Sequence, residues 1–80
     1  MAEGVEELLV YVARTLVEKP DEVRVERTER DGAVLLELHV APDDVGKVIG
    51  KGGRIARSLR TLVRASGAKA GARRLLEIVG

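Results

Sequence analysis

Between Gly46 and Arg74 the chain has nine basic residues and no acidic one, and inside that stretch lies Val48-Ile49-Gly50-Lys51-Gly52-Gly53. Glycines around a lysine remove the Cβ atoms that would hold an anion away from main-chain N–H groups. Lys51, at the apex, offers phosphate a point charge. Arg54 follows the loop directly, Lys47 precedes it by one turn, and Arg57 lies one turn beyond. Val48 and Ile49 anchor the approach and offer an unstacked base an apolar floor. The chemistry implied is capture of a phosphate backbone by main chain and cations. That points to nucleic acid.

The whole-chain charge of +1 conceals this polarity. Residues 1–45 hold twelve acidic residues against five basic ones, while all nine other basic residues follow Gly46. Local fields, not net charge, steer a polyanion to a surface. Eighty residues suit one domain, 1–80, near the lower limit for an unaided core. There is no cysteine and no metal-ligand spacing, so Val, Leu, Ile and Ala must supply the core, with a second subunit as possible help. No apolar run approaches the roughly 18–20 residues that span a bilayer. A cytoplasmic protein without membrane partner, cofactor or small-molecule substrate is expected. Ser58 and Ser66 have no histidine or lysine at catalytic spacing, and Glu6-Glu7 and Asp43-Asp44 fall at helix starts, where the dipole accounts for them. No catalytic residue is assigned, and no metal. His39, the only histidine, reads as a solvent-facing strand residue.

The elements that position the loop follow from periodicity. Val5, Leu8, Leu9, Val12 and Leu16 have the spacing of one buried helical stripe over residues 3–18, with Val10, Ala13 and Val17 as a flanking strip. Val23 and Val25, then Val34, Leu36, Leu38 and Val40, alternate with polar or outward residues as half-buried strands do. Asp31-Gly32 between them signals a tight hairpin. Pro42 opens a short helix that the glycines end. A longer helix runs from Arg54, with Ile55, Leu59, Leu62, Val63 and Ser66 on one face, Arg57, Arg60 and Arg64 on the other, and Gly67 as its C-terminal cap. Residues 74–79 read as a last strand. The prediction is an α+β fold, helix, strand, strand, helix, glycine loop, helix, strand, with three helices on one face of a three-stranded sheet.

Other glycine loops fail on spacing. A P-loop needs four residues between its first glycine and Gly-Lys-Ser/Thr; Gly46 to Gly50-Lys51 leaves three, and Gly52 stands in the Ser/Thr place. A dinucleotide loop follows a strand, and this one follows a helix. Ile49-Gly50-Lys51-Gly52-Gly53 instead resembles the I-G-x-x-G signature of KH domains, whose loop clamps the backbone of about four nucleotides. The helix-first order resembles the type II KH fold, α-β-β-α-α-β. Residues 40–46, with Val48-Ile49-Gly50-Lys51 and Gly53-Arg54-Ile55-Ala56, resemble the KhpA family of small bacterial KH proteins, and the likeness covers nearly the whole chain. Ala56 departs from it, standing where many KH loops carry a large apolar residue.

The resemblance implies a non-catalytic binder of single-stranded RNA, an RNA chaperone or post-transcriptional regulator, linked in some bacteria to cell shape. It implies homodimers, or heterodimers with a second KH protein, KhpB. The RNA-binding candidates are Lys47, Val48, Ile49, Gly50, Lys51, Gly52, Gly53, Arg54 and Arg57. Tyr11 is the only aromatic residue and lies in the first helix, so base contacts fall to Val48, Ile49, Leu38 and Val40 and to main-chain groups. Two rival readings remain open: a protein-interaction subunit whose main task is pairing, and a ribosome-associated assembly factor.

Overall fold

The computed structural model describes residues 2–80, with side chains from Gly4 onward. Helix α1 (Ala2–Leu16) is followed by strands β1 (Arg24–Arg30) and β2 (Ala33–His39), a short helix α2 (Val45–Ile49), a long helix α3 (Arg54–Lys69) and strand β3 (Arg73–Val79). The strands form one mixed sheet in the order β1-β2-β3, β1 antiparallel and β3 parallel to β2. The helices lie on one face, as the periodicity predicts.

The hairpin forms for a local reason. Asp31 and Gly32 have φ of 54° and 78°, and Arg30 pairs with Ala33 across them. Two successive positive φ values match the twist of the flanking strands. Beyond the turn, Val34, Leu36, Leu38 and Val40 are all buried, as their alternation requires.

Two helix faces differ from expectation. On α1 the buried residues are Val5, Leu9 and Ala13, while Leu8 is 41% exposed. A straight α-helix repeats every 3.6 residues, so a single i, i+4, i+8 line meets the sheet and Leu8 falls to its side. Ala13, expected on a flanking strip, is therefore core. On α3 the buried line is Ala56, Leu59, Val63 and Gly67, with Leu62 37% exposed and Ile55 half-buried. Counting large apolar side chains puts the face one position off, because two small residues occupy it.

Gly67 does not end α3. The cap is a Schellman arrangement around Gly71 (φ 72°), with Gly71 N–H donating to Ala68 O at 3.1 Å and Ala72 N–H to Gly67 O at 2.8 Å. Gly67 serves close approach instead: a Cβ there would lie 2.6 Å from Ala72 O and 3.0 Å from Arg74 Cβ. Arg74 is itself buried beneath the end of α3, where it donates from Nη1 to Ser66 Oγ at 3.1 Å.

Gly67→Ala should therefore destabilise the protein by about 1–3 kcal/mol, the usual cost of overpacking. Gly46→Ala, in α2 with nothing within 4 Å of the added Cβ, should stabilise by about 0.5–1 kcal/mol. Urea midpoints compare the two. A stabilised Gly67→Ala protein would mean that helix and strand do not meet closely.

Candidate nucleic-acid interface

Helix α2 owes its position to Asp44. Pro42–Asp44 form one 3₁₀ turn, and the Asp44 carboxylate, 1% exposed, accepts hydrogen bonds from the backbone N–H groups of Glu18 (3.2 Å) and Lys19 (3.1 Å). It thus joins the chain leaving α1 to the start of α2. The sequence reading placed Asp44 at a helix dipole, but its carboxylate makes no capping bond to its own helix. A capping aspartate and a long-range clasp are indistinguishable in sequence. Burial by itself pushes the Asp44 carboxyl up, yet the two N–H bonds and nearby Lys47 outweigh it and hold it below the ordinary carboxylate range.

Helix α2 stops at Gly50 (φ 78°, ψ 170°), whose N–H donates to Gly46 O at 3.0 Å. Lys51–Gly53 make a 3₁₀ turn with positive φ at Gly52 and Gly53, and α3 starts at once. At Gly50 a Cβ would meet Ile55 Cγ1 at 2.6 Å, so no larger residue allows this reversal unchanged. No side chain caps the start of α3. Gly53 N–H donates to Gly50 O and Arg54 N–H to Lys51 O within the turn, and the positive end of the sixteen-residue helix lies there. Lys51, Gly52 and Arg54 stand exposed around it.

From the loop a groove of about 560 Å³ runs along the free edge of β3. Gly53, Arg57, Arg60 and Arg64 form one wall; Leu75, Leu76 and Glu77 form the other, with Leu35 behind them. Among the described residues, Lys51, Arg54, Arg57, Arg60 and Arg64 have no ion-pair partner, whereas Arg24 and Arg27 are paired with glutamates. Lys47 is 3.6 Å from Asp44, so its charge is partly met within the protein.

The candidates divide accordingly. Gly50, Lys51, Gly52, Gly53 and Arg54 form the loop and the helix start, and Arg57 enters the groove. Ile49 is half-buried. Val48 is 0% exposed, so it holds α2 to the core and offers a base no surface. Leu38 (0%) and Val40 (6%) are likewise core, because they face the helices, and their proposed base contacts are withdrawn. Sequence reasoning did not assign Arg60 and Arg64 to the site, and missed Leu35, Leu75 and Glu77. The signal for the β3 residues was their odd-numbered alternation on an edge strand, masked by the unbroken apolar run Leu75-Leu76.

His39 also departs from expectation. It is half-buried, with Nε2 3.6 Å from Glu26 and 3.7 Å from Glu37. Sequence spacing shows no metal-ligand cluster, yet strand register gathers these three, their ligand atoms within 4.8 Å of one another. Arg24 already engages Glu26 there.

A helix–Gly-x-x-Gly–helix unit on a three-stranded mixed sheet, preceded by a helix and a hairpin, defines a type II KH domain. Residues 6–78 match the family model described as KhpA/KhpB, KH domain. The chain is 54% identical over 74 residues to a protein of Treponema pallidum (strain Nichols) named RNA-binding protein KhpA, covering 92% of each chain. Proteins of the same name from Clostridium acetobutylicum and Aquifex aeolicus are each 47% identical, covering 91% and 95% of this chain and 97% and 96% of theirs. The chain belongs to the KhpA/KhpB KH-domain family, which is non-catalytic.

The Asp44 clasp has a pH signature. A carboxyl held below its unfolded value stabilises the fold above about pH 4, and that contribution is lost as pH falls through the lower folded value. Asp44→Asn should therefore lower the urea midpoint at pH 7, and the gap from wild type should narrow between pH 4 and pH 2. An equal gap at both ends would show that the charge of Asp44 contributes nothing.

Proposed function

We propose that this chain binds single-stranded RNA, with Gly50-Lys51-Gly52-Gly53 as the backbone clamp and Arg54 and Arg57 as the first cations beyond it. The observation that carries this reading is the coincidence of three features at one place. Glycines expose the start of α3, the positive end of that helix lies at the loop, and a row of unpaired arginines continues into a groove. Phosphate is recognised by N–H groups and cations without regard to base, so the clamp itself is tolerant of sequence. The relatives' name, RNA-binding protein KhpA, agrees with it. Such a tolerant binder fits an RNA chaperone or post-transcriptional regulator acting in the cytoplasm.

Pairing with another KH chain, a second copy or a KhpB-type partner, is the companion reading. The helix layer exposes Leu8, Tyr11 (68%) and Leu62, and a chain this small gains stability by covering them. Sedimentation over a wide concentration range, with and without RNA, tests it; a strict monomer throughout would reject the homodimer.

Replacing Lys51 and Gly52 together with Asp puts two negative charges at the clamp. Aspartate tolerates the positive φ at Gly52 better than most residues, and a Cβ there meets nothing. Affinity for single-stranded RNA should fall at least about tenfold, or about 1.4 kcal/mol, with little change in thermal unfolding. Unchanged affinity in the folded variant would sink the assignment.

Salt dependence is a separate check. Two to four phosphates met by the loop and α3 cations give a slope of about −1.5 to −3 in log affinity against log salt, at about −0.7 per contact. A flat response would make the arginine row an ordinary solvated face.

A further inference from the structure

Strand register writes an ordered pattern across the outer face of the sheet, the face without helices. Glu26, Glu37 and Glu77 lie side by side across β1, β2 and β3; Thr28, Leu35 and Leu75 form the next row; Arg30, Ala33 and Arg73 form the third. Leu75 is 40% exposed and Leu35 half-buried. A hollow of about 550 Å³ lies over the last two rows, bordered by Arg30, Leu35, Arg73 and Leu75, with Glu37 on one side and Asp31 in the hairpin turn on the other. Leu35 and Leu75 also line the groove beside α3, so the two concavities are continuous around the β3 edge. A third hollow, bordered by Arg64, Arg73 and buried Arg74, joins the same edge.

We propose that this hollow is a second RNA subsite, which takes a nucleotide beyond those held at the glycine loop. It rests on the clamp reading above and extends it. The row order fits one nucleotide. Arg30 and Arg73 meet its phosphate, Leu35 and Leu75 pack against the face of its base, and the glutamate row accepts from an exocyclic amino group, as carboxylates do with cytosine. Like charges set directly opposite across a sheet destabilise it, so the three glutamates need a stabilising counterpart; Arg24 supplies part of one at Glu26. Glu77 has no such neighbour among the described residues and stands at the groove. The glutamates also repel phosphate, which directs the strand toward Arg64 and Arg73. No aromatic residue is present in the groove or the hollow, and exposed leucines provide the apolar surface that an aromatic platform provides elsewhere.

The test uses cytidine RNA oligomers of four and eight nucleotides, measured by fluorescence anisotropy with the full chain. Eight nucleotides should bind at least about tenfold tighter than four, beyond the gain from extra registers. Arg73→Glu and Arg30→Glu, both at exposed positions outside the groove beside α3, should remove most of that advantage and leave four-nucleotide binding unchanged. Amide shifts at Arg30 and Ala33 should accompany the longer oligomer only. The subsite is overturned if the length advantage is absent, survives in both variants, or comes with two protein chains per oligomer, which would make a second copy its source. If neither length binds the wild type, the clamp reading fails, and the subsite with it.

Discussion

The reversal between α2 and α3 leaves no room for a side chain at Gly50, and the rest of the site depends on that constraint. The contact partner there is Ile55, in the first turn of α3, so the loop and the helix it opens are fixed against each other at the closest point. Val48, fully buried two residues earlier, ties the other side of the loop to the core. The exposed segment between them is short and has both ends anchored. Lys51 and Gly52 project from a turn whose geometry the core sets, so the lysine and the positive end of α3 keep a fixed relation to each other.

Charge is segregated by pairing as well as by position. Two of the three cations of β1 are matched by glutamates: Arg24 by Glu26, and Arg27 by both Glu29 and Glu6. Such exposed pairs contribute only about 0–1 kcal/mol each to stability, but they cancel the field on that side. The α3 arginines have no such partners among the described residues. Three of these unpaired cations, Arg57, Arg60 and Arg64, share one wall of one groove. Around α3 the cations are unscreened by acidic partners, and such a local field orients a polyanion before contact.

What the sequence reveals and what it hides divide along locality. The Asp31-Gly32 turn and the alternation from Val34 to Val40 are local properties of the backbone, and both are legible in one dimension. So is the clamp, because glycine, lysine and helix start are neighbours in the chain. Three features are set by distant partners and stay hidden. Asp44 looks like a cap until Glu18 and Lys19 come to it; Gly67 looks like a helix stop until Ala72 and Arg74 crowd it. The far wall of the groove comes from Leu75 and Glu77, some twenty residues beyond the loop, and only the parallel pairing of β3 with β2 brings them there. Val48 errs in the opposite direction. A valine beside a glycine loop reads as a contact surface, while packing makes it a foundation.

The small residues on α3 link packing to function. Ala56 and Gly67 sit near either end of its buried line, with Leu59 and Val63 between them. At the Gly67 end the helix is so close that even a methyl group would collide with the backbone at Ala72. A helix drawn down onto β3 brings the stems of Arg57, Arg60 and Arg64 alongside the strand edge, since long cationic side chains lie along apolar surface and keep only their heads in water. A larger residue at Gly67 would have to lift that end of the helix off β3. Ala56, the position where this chain departs from the common KH pattern, is 1% exposed, so a methyl group rather than a large side chain meets the core in the first turn of α3.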